Sequence, residues 1–291
     1  MRESRHLTPV LDWYASSARD LPWRGEDATP WGILVSEIML QQTPVSRVLP
    51  VWRSWMGRWP SPGALAAEPS GEAVRAWGRL GYPRRALRLH ETARAIVDRH
   101  AGEVPASYDA LRALPGIGSY TAAAVASFAF RQRHAVLDTN VRRVLARLVS
   151  GKEYPDKAQT AAEVRLAESL LPADPPVAAR WSVAIMELGA LVCTARTPRC
   201  ADCPVATACA WRLAGRPPHD GPPRRGQTYA GTDRQCRGRL LAILRDSTDP
   251  VDKAAFDIVW SDAAQRERAL DGLMADGLVT SLPDGRYALP T

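Results

Sequence analysis

Four cysteines, two carboxylates and one glycine hairpin are the features of this 291-residue chain whose types and spacing could do chemistry. Cys193, Cys200, Cys203 and Cys209 follow the pattern C-x6-C-x2-C-x5-C within 17 residues. Four thiolates so placed close around a zinc ion or a cubic iron–sulfur cluster. Zinc knuckles usually pair two short C-x2-4-C elements; here only Cys200–Cys203 is short, and the longer reach on either side suits a larger cluster. Cys236 stands apart as an ordinary thiol. Glu37 lies in an apolar stretch, one helical turn from Ile33 and Leu34 on one side and from Leu40 on the other. Such a carboxyl is either an edge residue paired with an arginine or a desolvated group whose raised pKa makes it a proton donor near neutrality. Asp138 precedes a helical run and fits an N-cap, where helix amides favour its ionised form. In Leu114-Pro-Gly-Ile-Gly-Ser-Tyr120, Gly116 and Gly118 let the backbone approach a phosphate while the next helix aims its amides at it. A plain tight turn has the same spacing.

These groups need elements to hold them. Proline and glycine cut the chain into helical stretches at 8–18, 30–42, 46–59, 62–67, 71–79, 83–99, 107–114, 119–130, 139–149, 157–170 and 176–192. Convincing period-2 strands are missing from this part. Trp52, Trp55 and Trp59 fall at i, i+3 and i+7, the spacing of a core stripe. Four prolines and four glycines between Gly215 and Gly231 exclude regular structure and mark a linker. Beyond it come helices at 239–245, 252–259 and 265–276 and a hairpin turning at Pro283-Asp-Gly285, the make-up of a winged helix. The expected division is a helical body at 1–213 with the cysteine loop at 193–209, a linker at 214–235 and a small winged-helix-like domain at 236–291. The fold class is mainly α.

Composition narrows the class. With 46% hydrophobic and 24% charged residues the chain is an ordinary globular protein, neither disordered nor a coiled coil. No apolar run approaches the roughly 18 residues of a membrane helix, and no signal sequence is evident. A cytoplasmic, nucleoid-associated monomer is expected. An odd cysteine count in a reducing compartment points to ligation rather than disulfides. The net charge of +7 is uneven: residues 1–230 hold 30 basic and 21 acidic side chains, and 231–291 hold 8 and 10. A basic, arginine-rich body suits a polyanion partner that the C-terminal segment does not share.

The cysteine spacing resembles that of the endonuclease III and MutY superfamily of helix-hairpin-helix DNA glycosylases. The resemblance covers residues 7–212 and implies a two-lobed helix-hairpin-helix fold with a structural 4Fe-4S cluster on these cysteines. Arg196, Arg199 and Arg212 would then face DNA phosphates. Ala135-Val-Leu-Asp138-Thr-Asn140 follows the hairpin at the superfamily's interval. Strand-cutting members carry a hairpin lysine that forms a Schiff base; Tyr120 occupies that position and cannot. The monofunctional branch is implied.

Ser36-Glu-Ile-Met-Leu-Gln-Gln-Thr43 is similar to the adenine-removing MutY family, including its paired glutamines. That similarity assigns Glu37 to protonation of adenine N7 and Asp138 to stabilisation of the sugar cation. Gln42 and Tyr82 match residues that wedge into the base stack. Arg19 and Trp23 match adenine-pocket residues, and Leu40, Gly116, Gly118, Tyr120 and Asn140 complete the expected DNA and base contacts. The implied partner is duplex DNA holding adenine opposite 8-oxoguanine or guanine, with the base extruded for reaction. Two departures stand out. Val183 replaces an expected Glu or Gln, with Glu187 nearby. The family's usual Nudix-like C-terminal module is replaced by about 60 residues of different character. A mismatch thymine or uracil glycosylase, and a non-catalytic iron–sulfur DNA-binding protein, are the competing readings.

Overall fold

The computed structural model describes residues 3–219, 221 and 229–291. Fifteen helices are found among them: α1 (Glu3–Ser17), α2 (Pro30–Met39), α3 (Val45–Arg58), α4 (Pro62–Ala66), α5 (Ser70–Trp77), α6 (Arg84–His100), α7 (Tyr108–Arg112), α8 (Ser119–Phe130), α9 (Thr139–Leu148), α10 (Ala161–Leu170), α11 (Pro175–Leu191), α12 (Ala210–Leu213), α13 (Asp233–Asp246), α14 (Lys253–Val259) and α15 (Ala263–Ala275). Two short strands, β1 (Thr280–Ser281) and β2 (Tyr287–Ala288), pair antiparallel. No helix among the described residues is long and apolar enough to cross a membrane.

Local chemistry explains where helices differ from the sequence expectation. The stretch at 30–42 stops being helical at Met39, because Pro44 disfavours helical geometry at Thr43. The run at 157–170 begins only at Ala161, where Thr160 and Glu163 form a capping box. The helix expected at 239–245 starts six residues earlier, since the Thr232 hydroxyl accepts from the Gln235 amide. It therefore begins inside the proposed linker, of which residues 220 and 222–228 lie outside the described residues.

The contacts divide the chain into two compact units. The first holds Met1–Ile33, Ala106–Arg112 and Ile117–Pro223. Its core joins Val10 of α1, Val141, Val144, Leu145 and Leu148 of α9, and Trp181, Ile185 and Leu188 of α11. The second holds Leu34–Pro105, Ala113–Gly116 and Arg224–Thr291. Here the tryptophan stripe is core, as its spacing predicts: Trp55 meets Trp59 and Trp77 edge-on at 4.8 and 5.6 Å. Burying one such ring contributes on the order of 4–6 kcal/mol from area alone.

The C-terminal segment belongs to the second unit and packs on α5. The hairpin registers Thr280 with Ala288 and Ser281 with Tyr287, and an isolated bridge joins Val251 to Tyr287. Helices α13, α14 and α15 precede this two-stranded sheet in the chain.

Candidate active site and nucleic-acid interface

Glu37 sits in the middle of α2, a helix buried on all sides from Trp31 to Met39. Its residue exposure is 5%, so it is buried in the fold rather than set at an exposed edge. Where α2 ends, its orphan carbonyls meet one buried cation. Arg85, at the start of α6, donates to the carbonyls of Ile38 (2.9 Å), Met39 (3.1 Å) and Gln41, to Thr43 Oγ1 (3.0 Å) and to the Gly81 carbonyl (3.0 Å). Burial pushes its pKa down to about 10. This arginine pins two turns at once. Each presents a non-glycine residue in the left-handed region: Gln42 at φ 55° and Tyr82 at φ 49°. Both side chains are exposed. The left-handed backbone costs about 1–2 kcal/mol for a residue with a Cβ, and the Arg85 network holds it.

Asp138 caps α9 as its position predicts. Oδ1 accepts from the Val141 amide at 2.7 Å, and Oδ2 accepts from Asn140 Nδ2 at 2.7 Å. Burial nonetheless outweighs these bonds and raises the Asp138 pKa, so cap amides alone do not set its ionisation. Asn140 is held in turn: its Oδ1 accepts from Arg143 Nη2 at 2.8 Å, while Arg143 Nε donates to the Cys193 carbonyl at 2.8 Å. Gly189 makes room for this chain of bonds, since a Cβ there would lie 2.7 Å from Asn140 Cβ and 2.9 Å from its carbonyl oxygen. Arg143 and Gly189 carried no motif in the sequence. Only the i, i+4 placement of Arg143 and Arg147 beside the apolar positions of α9 hinted at burial.

Three of the four cysteines, Cys193, Cys203 and Cys209, pack against the first unit's core. Burial pushes the Cys203 thiol up to about 11, and the charges of Cys193, Cys209 and Cys200 add to the rise. All four thiols therefore share one neighbourhood. Among the described residues no three His, Cys, Asp or Glu side chains converge tightly enough for a single metal ion. Arg147, 1% exposed, donates to Cys193 Sγ at 3.4 Å and to the carbonyls of Thr194 and Ala195, and stacks on Trp211. Neither Arg143 nor Arg147 forms a salt bridge with a carboxylate among the described residues, although the Asp138 charge acts on Arg143, so negative charge on the thiols would add to their counter-charge. This donor set fits a tetrathiolate cluster of net charge about −2. Arg196, Arg199 and Arg212 are exposed around the loop, with Arg199 and Arg212 also donating to the Leu191 and Ala206 carbonyls.

At the hairpin Gly116 has φ 75°, and a Cβ on Gly118 would meet nothing within 4 Å. Packing inside the protein thus does not demand glycine at 118; an open approach from outside would. Gly118 is the N-cap of α8 and supplies no side-chain cap. Tyr120 is half-buried against Ala123, Ala124 and Val136. Trp23 is buried and Leu40 half-exposed. Arg19 is engaged inside the protein. Its Nε and Nη2 grip Glu187 at 2.7 and 2.6 Å, and Arg24 adds a third contact at 2.9 Å. Burial alone would raise the Glu187 carboxyl, but these cations bring it down to about 2. Glu187 is thus saturated and does not stand in for the residue missing at Val183.

Residues 35–169 match the HhH-GPD superfamily of base excision DNA repair proteins. A solved thermostable thymine-DNA glycosylase superimposes with a TM-score of 0.65 at 28% identity, over 73% of this chain and 97% of its own. The fold and the hairpin thus define a helix-hairpin-helix base excision protein whose partner is DNA. Adenine DNA glycosylases of Mycobacterium tuberculosis and Mycolicibacterium smegmatis are 56% and 54% identical over 98% and 97% of the chain, and over 94% and 96% of their own lengths. The chain belongs to the adenine DNA glycosylase family, whose members hydrolyse an N-glycosyl bond.

Proposed function

We propose that this chain is a monofunctional glycosylase that removes adenine mispaired with 8-oxoguanine or guanine. The observation that carries the reading is Glu37, a buried glutamate on a wholly buried helix, in the segment Ser36–Thr43 that resembles the adenine-removing family. In its protonated form Glu37 can pass a proton to N7 of an extruded adenine. The C1′–N9 bond then breaks, and adenine leaves with the bonding pair and the proton. Asp138 in its ionised form stabilises the cationic sugar. Water adds to C1′, and the proton it loses returns to Glu37. Tyr120 offers no amine, so no Schiff base forms and the strand stays intact.

The remaining residues bind. Gly116 and Gly118 grip a phosphate without reading sequence. Gln42 and Tyr82, exposed on their two pinned turns, enter the stack beside the extruded base. Trp23, Leu40 and Asn140 complete the base site, Asn140 through its bond to Asp138, while Arg19 acts through Glu187. Cys193, Cys200, Cys203 and Cys209 would hold a 4Fe-4S cluster, which when bound ties four points of the loop together and supplies no step of the hydrolysis. The enzyme acts wherever the cell keeps its DNA.

The test is single-turnover excision on duplexes carrying A:8-oxoguanine, A:G, T:G or U:G. Excision of adenine alone, abolished by Glu37→Gln with mispair binding retained, is expected. Excision of thymine or uracil would favour the sibling activity, because neither base leaves through an N7 proton. No excision from any duplex would leave a DNA-binding protein.

A further inference from the structure

The C-terminal helices and hairpin have the parts of a winged helix, a module that usually presents a basic helix or wing to DNA. Their charges rule that use out here. Of the eight cations in 231–291, five face carboxylates of the same segment, among them Arg266–Asp257 at 2.6 Å, Arg286–Asp284 at 2.7 Å and Lys253–Glu267 at 2.9 Å. Two more lie over aromatic rings, and Arg245 is half-buried with its Nε on the Val74 carbonyl. A phosphate would have to displace a carboxylate already in place, on a segment of net charge −2.

The same segment is fixed to the helices that flank Tyr82. Arg245 donates to the Val74 carbonyl at 2.9 Å, near the end of α5, and Arg75 donates to the carbonyls of Leu244, Arg245 and Ser247 at the end of α13. Two arginines thus cap each other's helices, with cations at the negative ends of both. The Gly71 amide donates to the Pro290 carbonyl at 2.7 Å, and a Cβ on Gly71 would collide with that oxygen. On the far side of the turn, Asp276 pairs with Arg84 at 3.2 Å and with Arg237. Arg75 lies before the turn and Arg84 after it, and within the turn Gly78, Gly81 and Tyr82 all have positive φ.

We propose that segment 233–291 is a brace that holds the Gly78–Arg84 turn in the conformation presenting Tyr82, with Asp276 as a positioning residue. This rests on the reading of Tyr82 as a wedge. The full-length protein is tested with 2-aminopurine beside the target adenine, whose fluorescence reports extrusion separately from excision. Tyr82→Ala is expected to slow extrusion about tenfold, the lost stacking of one base. Asp276→Ala should slow it by about three- to fivefold, Asp276→Glu should restore it, and the double variant should be no slower than Tyr82→Ala alone. Lys253→Ala and Arg268→Ala should leave the salt dependence of duplex binding unchanged. Additive losses in the double variant, or an inert Asp276→Ala beside an active Tyr82→Ala effect, would overturn the brace. A fall of about one in the salt slope for either lysine or arginine variant would make the segment a DNA-binding wing instead. A silent Tyr82→Ala would remove the wedge reading and this proposal with it.

Discussion

Arg143 holds Asn140 by a 2.8 Å bond from Nη2 to Oδ1, and through Asn140 it reaches Asp138. Its other arm ends on the Cys193 carbonyl. The proposed sugar-stabilising carboxylate and the first cysteine's carbonyl are therefore joined by two side chains through three hydrogen bonds of 2.7–2.8 Å. Arg143→Gln shortens the side chain and removes donors from Asn140 Oδ1 and from the Cys193, Gly189 and Thr139 carbonyls. Excision should fall by at least about tenfold, and stability by about 2–3 kcal/mol, the usual loss for a charged buried hydrogen bond. Parallel measurement of iron content and single-turnover rate checks this, and full activity at full iron would refute it.

The acid limb of the reaction follows from Asp138. Burial raises its pKa above the ordinary 3.8, and the reaction needs it ionised. Excision should fail on acidification at a higher pH than an exposed aspartate would give. A pH profile of the single-turnover rate, with the limb absent from the residual activity of Asp138→Asn, is the check.

Glu187 makes the opposite prediction for stability. Its folded pKa, about 2, lies below the ordinary 4.5, so its contribution is full above pH 4.5 and is lost as pH falls toward 2. Glu187→Gln should cost on the order of 2–3 kcal/mol at pH 7, the lower figure allowing for the partly exposed Arg19. Urea unfolding should show the two proteins converging between pH 4.5 and 2; a gap independent of pH would contradict the ion-pair account.

Tyr120 separates the two branches of the superfamily. Replacing it with lysine puts an amine where the phenol sits, against Ala123, Ala124 and Val136. Tyr120→Lys should gain borohydride trapping on adenine mispairs, and stoichiometric trapping by the unaltered protein would contradict monofunctional chemistry.

The cysteine loop predicts its own content. Purified without air, the protein should hold about four iron and four sulfide per chain and absorb visible light. Cys203→Ser should lose both the colour and the fold of the loop. A colourless protein with one zinc would instead place a single ion there.

Much of the architecture could be read from the chain because its signals are local. Asp138 at a helix start, the prolines between helices, the tryptophan stripe and the Pro283-Asp-Gly285 turn each declare themselves within a few residues. The cysteines and Glu37 were legible for a similar reason, the first by spacing and the second as a charge in an apolar run. Arg85, Arg143, Arg147 and Gly189 were not. A lone arginine reads as solvent-facing, and only the fold shows that these three bury their cations on backbone carbonyls far along the chain. For Arg19 the sequence offered a resemblance to a pocket position but no sign of Glu187, 168 residues away, as its partner.

The two left-handed residues, Gln42 and Tyr82, set a limit on how this protein can be made hardier. Glycine at either site would relieve strain worth up to about 1 kcal/mol, so selection for heat resistance alone would favour it. The same exchange would remove the two side chains proposed to enter the base stack. Thermal selection without an excision screen would therefore drift toward a sturdier protein that extrudes adenine more slowly.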